Sequence, residues 1–294
     1  MNVNSDQKPI LITGGTTGIG RATVELLASR GHHVYATVRK DSDFEEVNKI
    51  ENVDAINLDV TNQDQIERLV KFIENKGNGL FGVVNNSGVG DMIALNEMDD
   101  EDFDYLMKVN LYGPFRVTKA LHEYIIESKG RIVNIGSVAG ILSPLLMGAY
   151  SMTKHAIEAF SDTLAAEMEK FGVHVSTIEP GNYQSNIGLS AGKRLYSKME
   201  SRKNTRYRDE LMERFSNPDA KADRSHYKGP GDVADAIYDA LFSENPKARY
   251  MVVPDLDEGT ETIKQKVKEL VELNEWHEYS FTRDQLITML DEFM

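Results

Sequence analysis

Tyr150 and Lys154 stand four residues apart in a helical pattern, YSMTKHAIEAF. That spacing puts both side chains on one face. A phenol with a pKa near ~10 is a poor base at neutral pH. An ammonium one turn away stabilises the phenolate, and a second cation nearby would add to that. Moving the phenol down by roughly 2–3 units takes about 3–4 kcal/mol. Ser137 ends an apolar run, Asn134-Ile135-Gly136-Ser137, shortly before that helix. A strand end and the next helix can meet at the carboxyl edge of a sheet. Asn110 lies in Val109-Asn110-Leu111-Tyr112-Gly113, inside a helical stretch. A buried amide there needs partners, so it caps or kinks the helix or holds a water.

A second group of residues suits phosphate chemistry. Thr13-Gly14-Gly15-Thr16-Thr17-Gly18-Ile19-Gly20 follows the first apolar run and opens a helical pattern. Glycine is needed where φ is positive and where a Cβ would block a pyrophosphate. The helix that follows aims free N–H groups and its positive end at the phosphates. Gly14, Thr16, Thr17, Gly18, Ile19 and Gly20 are therefore expected to hold a dinucleotide. No Gly-Lys-Ser/Thr follows, which excludes a Walker-type loop. Twenty residues after Gly18, where NAD-binding chains carry an acid, stands Val38, followed by Arg39 and Lys40. A guanidinium pairs with a 2′-phosphate and stacks on adenine. NADP is expected ahead of NAD; the plainer reading is a solvated loop pair.

These residues need a frame. Short apolar, β-branched runs at 9–13, 32–38, 54–60, 79–86, 130–137, 174–181 and 248–255 alternate with helical patterns such as 19–30 and 150–171. Near-continuous hydrophobicity suits strands buried on both faces. The expectation is an α/β fold: a Rossmann-like doubly wound sheet of seven mostly parallel strands, one domain over 1–258. The acidic run from Glu97 to Asp104 reads as a helix start. Residues 183–229 are polar and follow the sixth strand, so they suit a substrate lid or a surface insertion. Leu142, Leu145, Leu146 and Met147, between Ser137 and Tyr150, either line an apolar pocket or fill core. Residues 259–294 form a C-terminal helical extension. One stripe runs Ile263, Val267, Leu270, Val271; another runs Leu286, Ile287, Leu290, opened by Thr282 and Gln285 in capping-box spacing.

Composition narrows the function classes. The 294 residues hold 33 basic and 47 acidic side chains, a net charge of −14. That balance opposes a nucleic-acid or anionic-membrane partner. Cysteine is absent, so there is no disulfide, thiolate zinc site or cysteine nucleophile. The seven histidines show no metal spacing, and no metal is expected. No apolar run approaches the roughly 20 residues of a membrane span. A cytoplasmic location is expected.

Taken in order, Thr13-Gly14-x-x-x-Gly18-x-Gly20, Asp59-Val60, Asn85-Asn86-Ser87-Gly88, Asn110, Ser137, Tyr150-x-x-x-Lys154 and Pro180-Gly181 resemble the short-chain dehydrogenase/reductase family in its compact form. The resemblance spans about residues 9–255. It implies that Tyr150 is the general acid in carbonyl reduction and the base in alcohol oxidation. Lys154 would bind the nicotinamide ribose, Ser137 the substrate oxygen, and Asn110 a water linking Lys154 to solvent. Asp59 and Val60 would meet adenine. Asn86, with Ser87 and Gly88, would sit beside the ribose. Pro180, Gly181, Tyr183 and Ser185 would flank the carboxamide. Ser87 replaces a frequent alanine and Ser185 a frequent threonine; Tyr183 is bulkier than the usual aliphatic and would narrow the pocket. The substrate would be a small, apolar carbonyl or alcohol touching Ser137, Leu145, Leu146, Tyr150 and Tyr183. A homodimer or homotetramer is implied. Rival readings are an NAD-dependent steroid- or retinol-type dehydrogenase and a non-catalytic, dinucleotide-binding regulator or scaffold.

Overall fold

The computed structural model describes residues 9–185, 187, 191, 205–215 and 227–294. Seven strands form one sheet: β1 (Ile10–Ile12), β2 (Val34–Val38), β3 (Val53–Asn57), β4 (Gly82–Asn85), β5 (Arg131–Ile135), β6 (His174–Pro180) and β7 (Arg249–Val252). Their order is β3-β2-β1-β4-β5-β6-β7, and every pairing is parallel. The apolar runs thus all became strands, each shorter than its run. Every β2 residue is buried, as a sheet covered on both faces requires.

Helices fill both faces. They are α1 (Gly18–Ser29), α2 (Asp41–Val47), α3 (Gln63–Lys76), α4 (Asp100–Met107), α5 (Gly113–Ser128), α6 (Gly148–Glu169), α7 (Arg208–Phe215) and α8 (Gly231–Phe242). One core joins Ile10, Ile12, Val34 and Ala36 to Val24 and Leu27 of α1 and Val233 and Ile237 of α8. The other joins Leu11, Tyr35 and Val83 to Leu69 of α3, Leu121 of α5 and Met168 of α6. Alternate β1 residues enter opposite cores, which follows from the two-residue period of a strand. α4 opens on Asp100, Glu101 and Asp102, carboxylates at the positive helix end.

The order reverses between β1 and β4. Chains leaving these two strands diverge there and open a crevice at their carboxyl ends. The glycine turn leaves β1, Asn86-Ser87-Gly88 leaves β4, Ser137 leaves β5, and Gly181 leaves β6.

The chain divides into two compact units, Met1–Pro254 and Asp255–Met294. The second holds α9 (Leu256–Asn274) and α10 (Arg283–Asp291), so its first helix starts three residues before the expected extension. Thr282 opens α10 as a capping box: its N–H donates to Gln285 Oε1 (2.8 Å), and its hydroxyl accepts from Gln285 N (3.3 Å). Of the expected 183–229 lid, positions 186, 188–190, 192–204 and 216–226 lie outside the described residues.

Candidate active site

The glycine turn is shaped by what its residues lack. Gly14 and Gly18 adopt φ of 70° and 55°, the left-handed region that side chains disfavour. A Cβ on Gly20 would overlap the Gly14 carbonyl oxygen and Asn86 Nδ2. Polar partners then lock the turn. Gly14 N donates to Thr37 Oγ1 (3.0 Å) and Gly15 N to Thr37 O (2.9 Å). Thr13 Oγ1 accepts from Asn86 N and Ser87 N, both at 2.9 Å. Asn86 Nδ2 donates to Thr13 O (2.9 Å) and Gly14 O (3.1 Å). Asn86, placed at the ribose by resemblance, thus spends its amide N–H groups on the turn itself. Gly88 backs onto Asn110: a Cβ there would lie 3.6 Å from Asn110 Oδ1.

A dinucleotide fits these groups. Thr17 precedes α1 without a side-chain cap, and the first turn holds no acid. The first-turn N–H groups therefore keep their capacity for an anion. A cleft of about 280 Å³ runs from Gly18 along Arg21 and Glu25 of α1, walled on its other side by Gln184, Ser185 and Pro230. Arg39 and Lys40 follow β2 directly and are exposed. Among the described residues neither enters an ion pair. Asp59 turns its carboxylate onto Thr61, accepting from both N (2.8 Å) and Oγ1 (2.7 Å). Val60 is buried against Gly113.

The candidate proton-transfer residues come from three elements. Tyr150 and Lys154 share one face of α6, with Lys154 Nζ 5.7 Å from the Tyr150 ring centroid. Lys154 is only 6% exposed. Its Nζ donates to the Ile135 carbonyl at the end of β5 (2.8 Å). Burial pulls its pKa down to about 8, while the charge of Glu158 pulls the other way. Ser137 begins the short 3-10 turn Val138–Gly140; its Oγ accepts from Ala139 N (3.1 Å) and lies 3.5 Å from Pro180 O. That contact ties the Ser137 turn to the end of β6.

Asn110 neither caps a helix nor breaks one. It lies in a π-helical turn, Lys108–Tyr112, between α4 and α5. Such turns widen the helix and re-aim side chains. Asn110 Oδ1 accepts from Val89 N (2.8 Å), and Nδ2 donates to Val89 O (2.8 Å) and Thr153 Oγ1 (3.1 Å). Thr153 Oγ1 donates to Tyr150 O (2.7 Å). Asn110 therefore couples the loop after β4 to the Tyr150 turn of α6. A second ladder lies deeper: Asn85 Nδ2 donates to Thr118 Oγ1 and Asn134 Oδ1, and Asn134 Nδ2 to Ser161 Oγ. Thr37, Thr153 and Asn134 escaped the sequence reading. Buried polar residues at the ends of apolar runs were the available signal.

The expected pocket residues Tyr183, Leu146 and Leu145 differ in burial. Tyr183, expected to narrow the pocket, is 2% exposed and belongs to the core beside α8. Its hydroxyl lies 3.2 Å from Asp232 Oδ2, which Lys228 also holds. A buried phenol needs a polar partner, and α8 supplies one. Leu146 is 4% exposed at φ 68°, whereas its neighbour Leu145 is 61% exposed.

Comparison with known proteins agrees with this geometry. Residues 8–194 match the family model for short chain dehydrogenase. The chain is 32% identical to 3-amino-tetrahydro-pyrrolizinone reductase of Xenorhabdus hominickii, across 92% of this chain and 94% of that protein. It is 33% identical to retinol dehydrogenase 16 of Mus musculus, across 83% and 80%. A short chain dehydrogenase/reductase of Burkholderia phymatum, solved in complex with NAD, superposes at a TM-score of 0.75 with 25% identity, covering 91% of this chain and 96% of that one. A matching family model over most of the sheet, and relatives named as reductases and dehydrogenases across most of the chain, make this protein an oxidoreductase of the short-chain dehydrogenase/reductase family.

Proposed function

We propose that this enzyme reduces the carbonyl of a small, apolar aldehyde or ketone to the alcohol, using NADPH. The observation that carries this reading is a lysine sealed from solvent beside a tyrosine at the sheet's carboxyl edge, one crevice away from the glycine turn. The bound dinucleotide supplies the hydride. The chain supplies the rest. Ser137 holds the substrate oxygen, and Tyr150 gives that oxygen its proton. Lys154, kept cationic, lowers the cost of the phenolate that remains. Asn110 and Thr153 hold the α6 turn in register and carry the route by which Lys154 exchanges protons with solvent. Leu146 and Leu145 provide the apolar wall. The Xenorhabdus relative, a reductase by name, supports the direction.

Arg39 and Lys40 support NADPH over NADH, since both stand exposed where a 2′-phosphate would lie. Asp59, Val60, Asn86, Ser87, Gly88, Pro180, Gly181 and Ser185 complete the cofactor's path along the crevice. Residues 183–229 act as a lid. Glu97 supports this, because its carboxylate accepts from Thr205 Oγ1 and Arg206 N and so anchors that segment. The enzyme works as a homodimer or homotetramer in the cytoplasm. No helix among the described residues is long and apolar enough to cross a membrane.

A second reading, NAD-linked oxidation of a secondary alcohol, draws support from the retinol dehydrogenase relative and the NAD-bound neighbour. One assay separates them: loss of reduced-nicotinamide absorbance with NADPH and with NADH across a panel of aldehydes and ketones, then the reverse reaction with alcohols. Carbonyl reduction with NADPH, abolished by Tyr150→Phe, is expected. No turnover of any carbonyl by the wild type, or full activity in Tyr150→Phe, refutes the proposal.

A further inference from the structure

Four charged groups that the proton transfer does not use sit directly behind it. α6 carries Tyr150, Lys154, Glu158 and Asp162 at four-residue intervals, all on one face. Glu179 arrives from β6 with a side chain only 3% exposed, and Arg249 arrives from β7. Arg249 Nε lies 3.1 Å from Glu158 Oε2 and 3.6 Å from Glu179 Oε1, and its Nη2 lies 2.6 Å from Asp162 Oδ1. The Glu158 and Glu179 carboxylates thus both face the Arg249 guanidinium. Glu158 also lies under the Ser137 turn: a Cβ on Gly136 or Gly140 would stand 2.9 or 3.2 Å from its Oε1.

Apolar side chains of the same volume would fill this space at lower cost, because buried charge must give up its hydration. We propose that Glu158, held with Glu179 by Arg249, is a positioning residue whose negative charge keeps Lys154 an ammonium beside Tyr150. The inference rests on the Tyr150–Lys154 reading above. Among the described residues, the charged groups facing Glu158 are Lys154 and Asp162 on its own helix, Glu179 on β6 and Arg249 on β7; the 136–140 turn contributes none. Burial pushes the Glu158 carboxyl up, and Arg249 opposes that push. Burial likewise pulls Lys154 down, and Glu158 opposes that pull. Arg249 thus preserves charge on Glu158, and Glu158 preserves charge on Lys154.

The test is an NMR titration of the full chain without cofactor, following the Lys154 ammonium nitrogen and the Glu158 carboxyl carbon. Glu158→Gln keeps the shape and removes the charge, so the Lys154 midpoint is expected to fall by about half a unit. Coupling is reciprocal, so Lys154→Met must raise the Glu158 midpoint by the same amount. In turnover assays, Glu158→Gln should move the alkaline limb of kcat to lower pH with KM unchanged, and Glu158→Asp should restore part of the shift. A Lys154 midpoint that stays put in Glu158→Gln overturns the proposal. If that variant does not fold, a Glu158 midpoint unmoved by Lys154→Met overturns it instead. Absence of carbonyl reduction by the wild type would fall on the oxidoreductase reading alone, because both titrations are read without turnover.

Discussion

The glycine turn and the candidate proton-transfer site lie at the same carboxyl edge of one sheet, yet they are built in opposite ways. The turn is made by local backbone: eight consecutive residues, positive φ at Gly14 and Gly18, and no room for a Cβ at Gly20. The candidate catalytic site is made by side chains from distant segments. Asn110 reaches Val89 and Thr153, and Lys154 reaches Ile135. The first region works through what is absent, the second through buried polar groups that find each other. A phosphate needs close backbone approach, which small residues allow. A tuned phenol needs a charge held in place away from water, and only tertiary packing supplies that.

If this contrast holds, substitutions in one region should leave the other nearly intact. Tyr150→Phe tests it most severely. A ~10²- to 10⁴-fold fall in kcat is expected, with NADPH affinity by fluorescence titration within threefold of wild type. Collapse of both would merge the two regions. Gly20→Ala should do the reverse. It forces a methyl into the Gly14 carbonyl, for an expected loss of about 3 kcal/mol in thermal or denaturant unfolding, and it weakens nucleotide binding. Asn110→Ala sits between the regions. It strands the Val89 N–H and C=O inside the protein, so about 2–3 kcal/mol of stability should go, with kcat falling before nucleotide affinity does. An unfolding midpoint unchanged in Asn110→Ala would mean that a water replaces the amide.

Smaller effects sharpen the picture at its edges. Arg39→Ala should cost roughly 1.5–3 kcal/mol of NADPH affinity, about 10- to 100-fold, and leave NADH unaffected. Equal losses for both nucleotides would remove the 2′-phosphate assignment. Tyr183→Phe deletes the hydroxyl facing Asp232 and keeps the ring. A destabilisation of about 0.5–1.5 kcal/mol, with KM unchanged, is expected in unfolding and steady-state assays. A large change in KM would return Tyr183 to the substrate pocket.

Much of the frame was legible in the residues. Seven apolar runs became seven strands, and the Tyr150–Lys154 spacing put both side chains on one helix face, as the 3.6-residue period requires. The capping box at Thr282 and Gln285 formed as its spacing predicts. Strand ends were less legible, because hydrophobicity continues past the last ladder hydrogen bond into buried turns such as Gly136. The orientation of Tyr183 was not legible either. Its place after a strand at the crevice suits a pocket wall, yet its side chain is 2% exposed, with the hydroxyl 3.2 Å from Asp232 Oδ2, 49 residues on.

The sequence by itself determined the parallel sheet, the glycine turn and the tyrosine–lysine face. Each follows from steric rules and periodicities that act over a few neighbouring residues. Only the tertiary structure decided that Asn110 binds Val89 and Thr153, that Lys154 is buried against Ile135, and that Glu158, Glu179 and Arg249 gather behind it. Those partners lie tens of residues apart, and spacing along the chain carries no record of which side chains meet when the sheet closes.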